Sequence, residues 1–354
     1  MDSLLIKQQE YEKEIKKYSD TVMVLSAVYN TLKQKPPIAD YVGVEIRLTS
    51  EKGNPIEPDL TALCEKRTKG LLFEFKWSLP FPDKWVDEKI QSLEDYSGRC
   101  TGWKNSAGVV DYHDLVLVCH MEDASRAKEA ITRLVGDPKY AFLSEEGFAM
   151  WTWIISVSRK GGSGCGESLI LTNQYGTIRN AILEDKTKPP TGLVFPQEAL
   201  TWLRSSFHFI KMDPPVQYTI IKIIQHVFSQ FQDTSKGKDY YELTTDMIYE
   251  KAKTIFFPWR DTDTQTIQAK RPWIVDALEN MYALKLIGKT PDKQKWLVPI
   301  PTIRPQGTLQ KNICKRLAKH NLKAGTPRKS KIKHVKPESG TRKGLKPTTL
   351  MDFK

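Results

Sequence analysis

The run Gly70–Trp77, GLLFEFKW, constrains the fold of this chain more than any other stretch. It is apolar enough to demand burial, yet Glu74 and Lys76 interrupt it two residues apart. Side chains alternate along a strand, so Phe73, Phe75 and Trp77 share one face while Glu74 and Lys76 share the other. The first face is core; the second is either solvated or chemical.

The surroundings make this a strand of a mixed α/β layer structure. An N-terminal segment to about Lys35 reads as helix, with DTVMVLSAVYNTL apolar enough to lie on a sheet, and KQKPPIAD ends it. VGVEIRL, DLTALCE and GLLFEFKWSL follow as a strand meander, broken by TSEKGNPIEP and KRTKG. The helix KWVDEKIQSLEDYSG comes next, with Asp83 as N-cap and Gly98 as stop, then the strand DLVLVCH and a helix near ASRAKEAITRLV. Strands FAMWTWIISV and SLILTNQYG close the unit around SRKGGSGCGE. EDKTKPPTG marks a boundary, beyond which the pattern is mainly helical and ends in a hairpin over LIGKTPDKQKWLVPI. Helices closed by a hairpin are the winged-helix order. The expected organisation is an α/β unit over 1–185, a winged-helix-like unit over 192–302 and a disordered tail over 303–354.

At 354 residues the chain has room for two domains, and no apolar run approaches the roughly 18 residues that would span a bilayer, so no membrane partner is expected. Five widely spaced cysteines without a CxxC pair argue against both a disulfide framework and a zinc site. A reducing compartment, cytoplasmic or nucleoid or nuclear, is expected. The net charge of +12 is confined to one region: Lys311–Lys354 holds 14 basic residues against Glu338 and Asp352, and residues 1–310 sum to zero. Such an arm suits a polyanion, and Lys329, Lys331 and Lys333 would contact backbone phosphates with strong salt dependence.

A tight hairpin through KRTKG would bring Asp59, just after Pro58, near Glu74. Two close carboxylates repel unless a cation lies between them, and oxygen ligands suit a hard ion such as Mg²⁺. An adjacent ammonium can then orient an attacking water or stabilise charge on a phosphate. At Pro58-Asp59 and Glu74-Phe75-Lys76 the sequence resembles the PD-(D/E)xK nuclease superfamily, over roughly residues 20–120 by element order. The resemblance implies a restriction-endonuclease-like core and Mg²⁺-dependent hydrolysis of DNA, with Mn²⁺ as substitute. Asp59 and Glu74 would hold the metal with the Phe75 main-chain carbonyl, and Lys76 would assist the water. It also points to Gln91 and Tyr96 on the following helix, although their spacing of five puts them about 140° apart on an ideal α-helix. For the further acidic residue many members carry, Glu14 and Glu45 are candidates, each read here as an ordinary surface carboxylate. Family members are often dimers, so a homodimer is open. An RNA substrate, or a non-catalytic DNA-binding regulator on the same fold, also remains open.

Asp111, His113 and His120 flank DLVLVC without metal-ligand spacing and read as structural. In the second unit Lys270, Arg271 and Trp273 begin the last helix, and Lys293, Lys295 and Trp296 lie in the hairpin, where they would meet phosphates. The final PTTLMDFK resembles a clamp-binding peptide, with Leu350 and Phe353 as apolar anchors for a sliding clamp.

Overall fold

The computed structural model describes residues 3–76, 79, 83–160, 164–234, 240–256, 267–291, 293–299 and 306–323. A mixed sheet of seven strands is flanked by helices on both faces, the α/β core that the strand alternation predicts. In chain order its strands are β1 (Tyr41–Val44), β4 (Leu60–Cys64), β5 (Lys69–Lys76), β6 (Tyr112–His120), β7 (Phe148–Lys160), β8 (Gly164–Thr177) and β9 (Leu193–Pro196). The spatial order is the same, with β5, β6 and β7 parallel and the other pairs antiparallel. A short ribbon, β2 (Leu48–Thr49) with β3 (Pro55–Ile56), lies in the connection before β4.

Alternation divides the core. Leu71, Phe73 and Phe75 of β5 join one cluster with the helix α1 (Ser3–Lys33), while Leu72 joins another under α2 (Asp83–Gln91) and α3 (Ala124–Leu134). Glu74 and Lys76 continue the Leu72 face. Both faces are therefore covered, and the solvated alternative for the charged face does not hold: Glu74 is 7% and Lys76 6% exposed. The expected helix after β5 is α-helical only to Gln91 and then tightens into a 3₁₀ turn, Ser92–Tyr96.

Three expectations need correction. EDKTKPPTG does not end the first unit, because β9 beyond it pairs with β8 and the helix α5 (Gln197–Ser206) lies on β8 and α1. Pro and Gly interrupt α4 (Ala181–Thr187) without interrupting the sheet, whose edge strand is completed from the far side. The expected tail disorder is also overturned over Gln306–Lys323, an α-helix (α9). Ile313, Cys314, Leu317 and Ala318 recur on one side and are buried, and the helix lies against α1. Its Lys and Arg content masked a stripe of only four apolar residues. Lastly, the hairpin gains a third strand: β10 (Tyr240–Leu243) pairs with β12 (Trp296–Pro299), which pairs with β11 (Gly288–Lys289).

Before β10 runs α6 (Val216–Lys222), continued by a π turn and a 3₁₀ turn to Thr234, and between β10 and β11 run α7 (Thr245–Phe256) and α8 (Arg271–Ala283). Their apolar faces join the α1 side of the sheet in one continuous cluster. Cys64, Cys100, Cys119 and Cys314 are buried free thiols. Among the described residues no helix is long and apolar enough to cross a membrane. Lys329, Lys331, Lys333, Leu350 and Phe353 lie outside the described residues, as does Trp77.

Candidate active site

Asp59 precedes β4 and faces Glu74, since Leu60 pairs with Phe73 in the antiparallel register. The hairpin closes through Glu65, Lys66 and Arg67, all at positive φ, with the Thr68 amide returning to the Cys64 carbonyl at 3.1 Å. Asp59 Oδ2 accepts the Phe75 N–H at 2.7 Å, so Phe75 enters the site through its amide. Lys76 Nζ donates to Glu74 Oε1, also at 2.7 Å. The other two oxygens, Asp59 Oδ1 and Glu74 Oε2, are buried and accept no hydrogen bond among the described residues. Buried carboxylate oxygens are rarely left so, because the lost hydration costs several kcal/mol when nothing replaces it.

The charges follow from this geometry. Burial, then the negative charge of Glu74, pushes Asp59 up to about 7. Burial alone would also raise Glu74, but the Lys76 and Lys211 ammoniums and the Lys76 hydrogen bond outweigh it and hold its carboxyl below the usual value. Lys76 loses hydration too, yet Glu74 and Asp59 together keep it above the ordinary lysine value. At neutral pH the trio is an ion pair beside a carboxyl poised to lose its proton.

No family model, curated protein or solved structure matches this chain. The chemistry of the site therefore rests on its own donors and acceptors.

Several residues singled out in the sequence do not converge there. Gln91 ends α2, half-buried, without a hydrogen bond to the trio among the described residues. Tyr96 ends the 3₁₀ turn, buried and without a hydrogen bond from its hydroxyl to the trio among the described residues; burial, then the charges of Glu74 and Asp59, raise its phenol. Glu14 bonds Gln217 of α6 at 2.7 Å. Asp111 pairs with Lys69, His113 bonds the Tyr96 carbonyl, and His120 accepts the Glu122 amide, so these three serve local structure.

Glu45 corrects its reading as a surface carboxylate. It is 1% exposed, adopts positive φ where β1 stops, and donates its N–H to the Asp59 carbonyl at 3.2 Å. Its carboxylate is paired with Lys270, which is itself 3% exposed. Lys270 is thus not a surface phosphate contact but an internal brace from the start of α8 to the Asp59 segment. Arg271 pairs with Asp246, and Lys295 lies 3.6 Å from Glu242, so carboxylates hold both. Lys293 is exposed on the hairpin turn.

Sequence reasoning passed over two lysines. Lys211, after α5, donates to the Glu57 carbonyl, and its charge acts on both Asp59 and Glu74. Lys89 of α2 faces the trio, lowered first by burial and then by the Lys76 charge. Lys89 had a signal, lying on the helix that follows β5; Lys211 had none, lying in an irregular segment beyond the expected boundary.

Proposed function

We propose that the chain is a metal-dependent nuclease of the PD-(D/E)xK kind, hydrolysing phosphodiester bonds of DNA. The observation that carries this reading is the pair of buried, unpartnered oxygens, Asp59 Oδ1 and Glu74 Oε2, on adjacent strands beside a lysine that is already hydrogen-bonded. A divalent cation fits that pair. Among the described residues no group of three or more His, Cys, Asp or Glu side chains gathers for any metal ion; the fit rests on two carboxylates, which with water and substrate oxygens are what Mg²⁺ ordinarily takes.

When bound, Mg²⁺ or Mn²⁺ supplies a lowered water pKa and Lewis-acid stabilisation of phosphoryl charge. Asp59 and Glu74 would hold it, Asp59 in its deprotonated form. The Phe75 amide holds Asp59 through Oδ2, leaving Oδ1 without a partner among the described residues. Lys76 is a cation rather than a base, because the carboxylates raise it. It therefore donates hydrogen bonds, orienting water or balancing charge on phosphorus.

The segment 216–299, whose element order among the described residues is helix, strand, two helices and two strands, supports a winged-helix-like reading. Its last helix exposes Asp276 and Glu279, which favours a bracing role over insertion into a groove. DNA contact then falls to Lys293 and the basic C-terminal residues.

The test is cleavage of labelled duplex, single-stranded, flapped and four-way DNA, and of RNA, with Mg²⁺ or Mn²⁺. Wild type should cut in a metal-dependent way, while Asp59→Ala and Lys76→Ala should bind but not cut. Full activity in both variants would sink the assignment.

A further inference from the structure

Lys211 belongs to no helix or strand, yet its backbone is held from both sides. The buried hydroxyl of Tyr18 in α1 accepts the Ile210 N–H at 3.2 Å and faces the carbonyls of Ile210 and Met212 at 3.3 Å each. From there the half-buried ammonium reaches the Glu57 carbonyl, two residues before Asp59. Among the described residues no carboxylate lies within ion-pair distance of it, whereas Lys76 is bonded to Glu74. An ammonium has three donors, and one neutral carbonyl satisfies one of them and none of the charge.

The Lys211 charge already acts on Asp59 and Glu74, and a held cation with donors left over beside that carboxylate pair can also take an anion that arrives from outside. We propose that Lys211 contacts the substrate directly, donating to a non-bridging oxygen of the phosphodiester at this site. This rests on the nuclease reading above and deepens it. The catalytic surface is then composite: the metal ligands come from the residue before β4 and from β5, and the phosphate-binding cation comes from residues beyond β9. Lys89 approaches from α2 and adds to the same positive surplus.

The experiment compares wild type with Lys211→Gln, which keeps an N–H for the Glu57 carbonyl, and Lys211→Arg, which keeps the charge. Three readouts are taken: kcat/KM with Mg²⁺, metal-free binding of an oligonucleotide across salt concentrations, and the Mg²⁺-induced thermal shift. Lys211→Gln should lose about 10²-fold in kcat/KM, as removal of one preorganised donor does. Its slope of log K against log salt should shrink by about 0.9 for one lost phosphate contact, or about 0.7 on a single strand. The Mg²⁺ shift should persist, and Lys211→Arg should recover most of the loss. Unchanged kcat/KM and salt slope in Lys211→Gln would overturn the contact. So would loss of the Mg²⁺ shift with an unchanged salt slope, which would make Lys211 only a holder of the Glu57 loop. If wild type cuts nothing with either metal but Lys211→Gln still lowers the salt slope, the phosphate contact stands and the nuclease reading fails.

Discussion

Asp59 concentrates the chemistry of this chain into one side chain. Its folded pKa of about 7 lies above the ordinary 3.8, so the metal-free fold keeps a proton that the unfolded chain releases between those values. The stability this group contributes is complete below about pH 4 and is lost as pH rises through about 7, up to about 4 kcal/mol at about 1.4 kcal/mol per unit. Two outcomes follow from the sign. Asp59→Asn mimics the protonated acid and should raise the thermal stability of metal-free protein at about pH 8, flatten its fall with pH, and abolish any response to Mg²⁺. In wild type the Mg²⁺-induced thermal shift should be larger at about pH 8 than at about pH 6, because the metal displaces that proton. Thermal melts across that range, with and without Mg²⁺, check both. Glu74 and Lys76 at alternate positions in an apolar run were legible in sequence because strand alternation puts them on one face. The partners of Glu45 were not, since a carboxylate at a strand end looks the same whether it meets water or Lys270.

At the scale of elements, the brace between β1 and α8 is a buried ion pair. Removing one partner leaves a charge without hydration or counter-charge, so Lys270→Met should cost about 3–5 kcal/mol. Glu45→Gln combined with Lys270→Met should recover part of that loss, measured by urea unfolding. The helix α9 gives a second test. Leu317 is buried against the α1 side, so Leu317→Ala should cost about 2–5 kcal/mol, where a disordered segment would show no change. The helical pattern of α9 was available in the sequence but was outweighed by its basic composition. The strand β10 was not available: four residues, Tyr240–Leu243, become a strand because β12 offers an edge.

Across the whole molecule, one apolar cluster runs from α1 through the sheet to α6, α8 and α9, so the two halves share a core. Unfolding should be a single transition, coincident by far-UV and near-UV probes. The basic region adds a separable property. Because residues 1–310 carry no net charge, deleting 324–354 should weaken DNA binding across all sequences and lower its salt slope. Cleavage at saturating substrate should remain. The sequence by itself determined the central strand with its charged face, the carboxylate pair with Lys76, the helical second half and the uneven charge, because each is written in residues close together and follows from local periodicity. The tertiary structure alone decided that β9 completes the sheet from beyond a Pro-rich break, that Lys270 turns inward to Glu45, and that Lys211 reaches the Glu57 carbonyl beside the carboxylates. Those three depend on contacts between residues 20 to more than 200 positions apart, which no local pattern encodes.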